Sequence, residues 1–216
     1  MNATVLMDPI VLRAIEIIAI MVAAFSGFAE AQRKQMDVVG LYTVAFITAF
    51  GGGTLRDILL DRRPLFWVEH QEYALLVFAL SLVAFPLMKL FRQLVREWVI
   101  VLADAVGMGL FSVSATALSL QLGYSAFVSI MMGVITGCFG GILRDIICNE
   151  VPMILRDGKP YAICAFAGCG LYVVLNGLHM ASDSALSVAV LAILLTRMIA
   201  WRKQWKFLHP GRSDDR

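Results

Sequence analysis

Residues 47–65 read ITAFGGGTLRDILLDRRPL, and residues 135–153 read ITGCFGGILRDIICNEVPM. At a constant offset of 88, nine of the nineteen positions are identical: Ile, Thr, two Gly, Leu, Arg, Asp, Ile and Pro. Two unrelated apolar segments would agree at about two or three, so the chain contains an internal repeat. Each copy sets glycines and then an Arg-Asp pair inside an apolar run. Glycine weakens a helix by ~1 kcal/mol relative to alanine, and charge is costly among apolar neighbours. Both features therefore need a reason.

The surroundings define the solvent. Of 216 residues, 60% are hydrophobic and 16% charged, with a mean hydropathy of +0.80. Soluble domains are nearer half apolar and a quarter charged, so the surplus apolar surface must face lipid. Seven apolar stretches of spanning length follow, at roughly 9–30, 38–61, 73–91, 97–119, 124–148, 160–178 and 184–201. Met1 to Asp8 carries no basic residue, so the first stretch is expected to be a span, not a cleaved leader. The predicted fold is an all-α membrane protein of seven transmembrane helices in a single domain, 1–205. Repeat one covers 9–91, repeat two 97–178, and an extra helix 184–201. A short cytoplasmic tail, 206–216, follows.

Three spans per repeat is an odd number, so the second copy runs upside down relative to the first. The two glycine segments then meet across a pseudo-two-fold axis in the membrane plane, a pattern of membrane transport proteins. The expectation is that helices 2 and 5 break there and free carbonyl oxygens towards a cation path. The alternative is that the glycines only let helices approach closely. Weaker echoes accompany the motif. Glu16 matches Asp104 at 88, and FSGFA (25–29) matches FSVSA (111–115) at 86, which implies a two-residue shift between them.

Arg56 and Asp57 are sequence neighbours, so on a helix they point about 100° apart and each is expected to find a partner elsewhere. Depth along the spans suggests Arg56 with Glu16, and Arg144 with Asp104, as two charged gates or, equally, as locks within the bundle. Thr48 and Thr136 precede the glycines by one turn, positioned to line a pore or to satisfy carbonyls. Ser112, Thr116 and Ser119 share one helix face. Pro86 is expected to kink segment 3.

Basic residues set the orientation. With the N-terminus outside, twelve Lys/Arg fall in inner loops and the tail, against only Arg62 and Arg63 outside, so N-out, C-in is expected. Trp98, Trp201 and Trp205 fall at the inner boundary.

Several functions are excluded. A net charge of +2 gives no support to a nucleic-acid partner. Cys138, Cys148, Cys164 and Cys169 have no CxxC spacing, and His70, His179 and His209 are scattered, so neither a metal site nor a disulfide framework is expected. There is no GxSxG, phosphate-binding loop or paired carboxylates with a nucleophile, so the chain reads as no enzyme and needs no cofactor.

The doubled motif, GGGTLRDILLDRRP and GGILRDIICNEVP, in a 3+3+1 arrangement resembles the bacterial branch of the trimeric intracellular cation (TRIC) channels, over about residues 5–205. The resemblance implies a homotrimer in a bacterial inner membrane, in contact with membrane lipids. Each subunit would have its own pore for monovalent cations, chiefly potassium with some sodium. It also implies that Gly51, Gly52, Gly53, Gly140 and Gly141 kink the pore-lining helices. Phe139 stands where the first copy has Gly51. The basic motif tied to lipid regulation in animal members is absent. The same bacterial sequences are grouped as glycine transporters, so the alternative is a secondary transporter of glycine or another small neutral amino acid. The resulting pore-lining or substrate-binding set is Thr48, Gly51, Gly52, Gly53, Arg56, Asp57, Thr136, Gly140, Gly141, Arg144 and Asp145, with Glu16 and Asp104 as charge partners or gates.

Overall fold

The computed structural model describes residues 9–90, 97–155 and 160–203. Among these, the elements are α1 (Pro9–Arg33), α2 (Val38–Leu59), α3 (Phe66–Glu69), α4 (Gln71–Leu90), α5 (Glu97–Gln121), α6 (Ala126–Ile147), a 3₁₀ turn (Met153–Leu155), α7 (Tyr161–Gly177) and α8 (Ser182–Arg202). No strand occurs among the described residues. Among the described residues, five helices are long and apolar enough to cross a membrane: α1 over Ala14–Arg33, α2, α5, α6 and α8. Gln71–Leu87 and Tyr161–Gly177 are shorter apolar helices. The one-turn α3 was not expected, and α4 continues through Pro86. The tail at 206–216 and Trp205 lie outside the described residues.

The repeat is written into the helix ends. α1 and α5 start and stop 88 residues apart, as do α2 and α6. The residues that end these helices in a left-handed conformation keep the same spacing: Gln35 (φ 55°) with Gly123 (φ 86°), and Asp61 (φ 50°) with Asn149 (φ 55°). Each is followed by the same closing bond, Met36 N to Ala31 O, Tyr124 N to Ser119 O, Arg62 N to Asp57 O and Glu150 N to Asp145 O, at 2.8–3.1 Å. Such bonds satisfy carbonyls that a helix terminus would otherwise leave unpaired. The caps match too, since Asp37 accepts from Gly40 N at 2.8 Å and Ser125 from Val128 N at 3.4 Å. With both helix boundaries conserved, the two-residue shift expected between Glu16 and FSGFA does not exist. The echo at 86, of one Phe, one Ser and one Ala, is a chance match.

Two apolar clusters hold the bundle. Ile20, Phe28, Leu41, Val44, Phe50, Tyr73 and Val77 pack α1, α2 and α4 together. Met108, Val113, Tyr161, Tyr172, Leu186 and Ile193 do the same for α5, α7 and α8. Outside, Leu75, Val83, Phe127, Val174 and Leu191 are more than half exposed. Arg56, Asp57, Asp104, Arg144, Asp145 and Arg197 are buried. Apolar exterior and charged interior is the arrangement that lipid, not water, stabilises.

Candidate functional site: an inverted-repeat crossing with buried ion pairs

α2 and α6 cross at their glycines. A methyl group at Gly52 would lie 2.0 Å from Thr136 O, and one at Gly140 would lie 2.3 Å from Thr48 O. The two contacts are each other's images under the 88-residue relation. Close backbone approach is what the glycines provide, and both helices run through them with no unwound turn. The expectation of broken helices is therefore corrected. The helical hydrogen-bond ladder survives because tertiary contact, not unwinding, uses the absent side chains. Within the triplet the roles differ. At Gly51 a methyl would meet the flexible tip of Leu143, and at Gly53 nothing nearer than Arg56 Nη2 at 4.0 Å. This is why Phe139 is tolerated at the position matching Gly51, whereas Gly52 and Gly140 are kept in both copies.

Thr48 and Thr136 supply the opposing carbonyls. Their own hydroxyls donate to the carbonyls four residues back, Val44 O at 2.6 Å and Met132 O at 2.7 Å. The serine-threonine face of α5 is also a packing face. Thr116 and Ser119 donate to Ser112 O and Ala115 O, and Ser112 and Thr116 sit over Gly137 and Gly133 of α6.

The Arg-Asp pairs depart from expectation. Arg56 Nε and Nη2 both reach Asp57 Oδ1, at 2.9 and 2.8 Å. Arg144 Nε and Nη2 reach Asp145 Oδ1, at 3.0 and 2.9 Å. The long guanidinium arm bends around the helix to the short carboxylate and so spans the ~100° between the two side chains. The second carboxylate oxygen holds the chain that follows. Asp57 Oδ2 accepts from Phe66 N at 2.9 Å, and Asp145 Oδ2 from Met153 N at 2.8 Å. Each aspartate thus ties a helix end to the first residue of the next short helical turn.

Arg144 extends further. Its Nη1 donates to Asp104 Oδ1 at 2.9 Å and to Ser26 Oγ at 2.6 Å. The expected contact between Arg144 and Asp104 is therefore made. On the other side Arg56, Glu16 and Ser114 line one cavity, the same three chemical positions 88 residues away.

Three cavities lie at and beside the crossing. One contains Glu16, Arg56, Gly53 and Phe111. The middle one, about 20 Å³, is lined by Ser26, Thr48, Gly52, Asp104, Thr136, Gly140 and Gly141. The third, about 110 Å³, lies among Glu30, Arg33, Glu97, Arg144, Asp145, Glu150 and Arg197. The middle space holds about one water molecule. Asp57 is buried behind the first cavity, bonded to Arg56 and Phe66, which line it.

Sequence reasoning passed over Arg197, Tyr161 and Ser26. Arg197 is 2% exposed, lies 4.3 Å from the centre of the Tyr161 ring, and has Nη2 3.6 Å from Asp104 Oδ2. A lone cation inside the apolar run LLTRMIAW was the available signal. Among the described residues no group of His, Cys, Asp and Glu is arranged to hold a metal.

Comparison with known proteins agrees with this geometry. The family model described as "Glycine transporter" matches the chain twice, at 13–89 and 101–177, one match per repeat. A UPF0126 membrane protein of Vibrio cholerae is 34% identical over 91% of this chain and 81% of its own. The UPF0126 inner membrane protein YadS of Escherichia coli K12 is 31% identical over 87% of this chain and 90% of its own. The solved TRIC trimeric intracellular cation channel orthologue from Rhodobacter sphaeroides superposes with a TM-score of 0.82 at 32% identity, covering 90% of this chain and 98% of that one. A prokaryotic TRIC channel solved in 0.5 M KCl superposes at 0.83 with 28% identity, covering 90% and 98%. Doubled motif, matched helix ends, glycine crossing and these relatives lead to one conclusion: the chain belongs to the bacterial TRIC channel family, that of the UPF0126 membrane proteins.

Proposed function

We propose that the protein is a cation channel with one pore per subunit of a homotrimer, permeable to potassium and to sodium. The pore runs between the inverted repeats through the α2–α6 crossing. Seven helices (α1, α2, α4, α5, α6, α7 and α8) span a bacterial inner membrane, with the N-terminus outside and the C-terminus in the cytoplasm. The observation that carries the reading is the set of three cavities at and beside the crossing, with an arginine-carboxylate cluster on either side of a middle space that holds about one water. Thr48, Gly52, Thr136, Gly140 and Gly141 line its middle, and Arg56 with Glu16 and Arg144 with Asp104 act as gates. Gly51, Asp57 and Asp145 support this wall: Gly51 faces Leu143, and the aspartates fix the arginines. The narrow, ion-paired middle describes a closed pore.

The test uses purified protein in a planar bilayer under a potassium gradient and, separately, a glycine gradient. Unitary currents reversing with the potassium gradient are expected. Saturable glycine uptake without unitary current would favour the transport reading that the family model's description suggests.

A further inference from the structure

Asp104 is shared. Its Oδ1 is held by Arg144, while its Oδ2, buried and without a hydrogen bond, faces Arg197 Nη2 at 3.6 Å. Arg197 is itself incompletely satisfied. Its Nε has no hydrogen-bond partner, and its guanidinium rests on the Tyr161 ring at 4.3 Å and on Met153 Sδ at 3.3 Å. Both contacts are adaptable, since an aromatic face and a thioether hold a cation without fixing it in one geometry. Arg197 also sits on α8, the helix outside the repeats.

The cluster is therefore a chain of alternating charges, Asp145, Arg144, Asp104, Arg197. Arg144 is fixed by three hydrogen-bonded partners: Asp145, Asp104 and Ser26. Arg197 is fixed to Asp104 by none. Asp104 lines the middle cavity, which is the size of one water and hence of one bare potassium-sized ion. We infer that Arg197 is a tethered competitor for the permeating cation: its guanidinium occupies Asp104 Oδ2 when the path is empty and yields that oxygen when an ion enters the middle cavity. Arg197 is then the residue that sets how tightly the channel binds its ion, and α8 is the element through which that binding is adjusted. This rests on the channel reading above.

The experiment measures unitary conductance against KCl concentration for the trimer in a planar bilayer. Removing the competitor leaves a full negative charge at the constriction, so R197Q is expected to lower the half-saturating KCl by about threefold or more. R197K, which keeps the charge, stays near wild type. R197Q/D104N loses the gain. Should R197Q not assemble, Y161L, which removes the ring beneath the guanidinium and leaves the charges, is expected to shift half-saturation in the same direction by less. Wild-type and variant curves with the same half-saturation overturn the inference while leaving the channel intact. Wild-type protein that passes no cation current overturns the channel reading instead.

Discussion

Gly52 lies against the carbonyl of Thr136 so closely that a methyl group on it would sit 2.0 Å from that oxygen. The neighbour is backbone in the middle of α6, and no side-chain rotation relieves such a contact. Gly52→Ala and Gly140→Ala are each expected to destabilise the fold by about 1–3 kcal/mol or more, through forced separation of α2 and α6. Gly53→Ala meets open space and is expected to be neutral or slightly stabilising, because alanine is the better helix former. Thermal unfolding in detergent separates the cases. Equal losses for Gly52→Ala and Gly53→Ala would contradict the crossing.

Asp57 and Asp145 each hold an arginine with one oxygen and a backbone N–H with the other. Alanine at Asp57 removes the carboxylate that holds the buried Arg56, a change that costs about 3–5 kcal/mol, whereas after Asp145→Ala the guanidinium of Arg144 keeps Asp104 and Ser26 and the loss is smaller. Asparagine still accepts the bond from Phe66 N or Met153 N, so Asp57→Asn should retain more of the local structure than Asp57→Ala. Protease sensitivity of the segments after α2 and α6 is the readout, with alanine cleaved faster than asparagine.

Arg144 and Asp104 form a pair that is almost wholly buried. Asp104→Asn alone leaves two arginines sharing one carboxylate fewer, and Arg144→Gln alone leaves Asp104 to Arg197. Each single change is expected to lower thermal stability more than the double change does, giving a favourable coupling energy in a double-mutant cycle. Additive losses would mean that the two side chains do not interact.

All four cysteines are free and buried. Cys148, at the C-terminal end of α6, has its thiol pushed up to about 11, by burial first and by the nearby Glu30 charge second. The thiolate is the reactive form, so at pH 7–8 folded protein is expected to take up no maleimide at Cys148. Mass spectrometry checks this, with denatured protein reacting at all four sites. Rapid labelling of folded protein would place Cys148 at the surface.

The charge bias of the loops predicts a cytoplasmic C-terminus. A reporter that is active only in the cytoplasm, fused after Arg216, should be active, and one that needs export should not.

Most of the fold was legible because lipid imposes a simple grammar. The long helices start and stop close to the apolar stretches read from sequence, and 88-residue spacing carried the inversion. What was misread is chemical detail at short range. GGG is a helix breaker by propensity, but a helix packed face to face with its own repeat keeps its ladder and uses the bare backbone as a contact surface. Arg56 and Asp57 diverge on a helical wheel, yet the arm of arginine is longer than the wheel's geometry allows for. Arg144 with Asp104 was readable from depth alone. Arg197 was not, because its partner lies on a helix of the repeat while Arg197 itself stands outside it, and no offset connects them.

Duplication makes two equal ends; α8, which has no twin, makes them unequal. It adds a buried positive charge, Arg197, beside Arg144, whereas the further cation near Arg56 is Arg62, from the loop after α2 and partly exposed. In the proposed pore, an ion travelling one way would meet that charge before the narrowest point, and one travelling the other way only after it. A protein assembled from mirror-like halves would in this way act as a rectifier, with unequal currents under equal and opposite voltages.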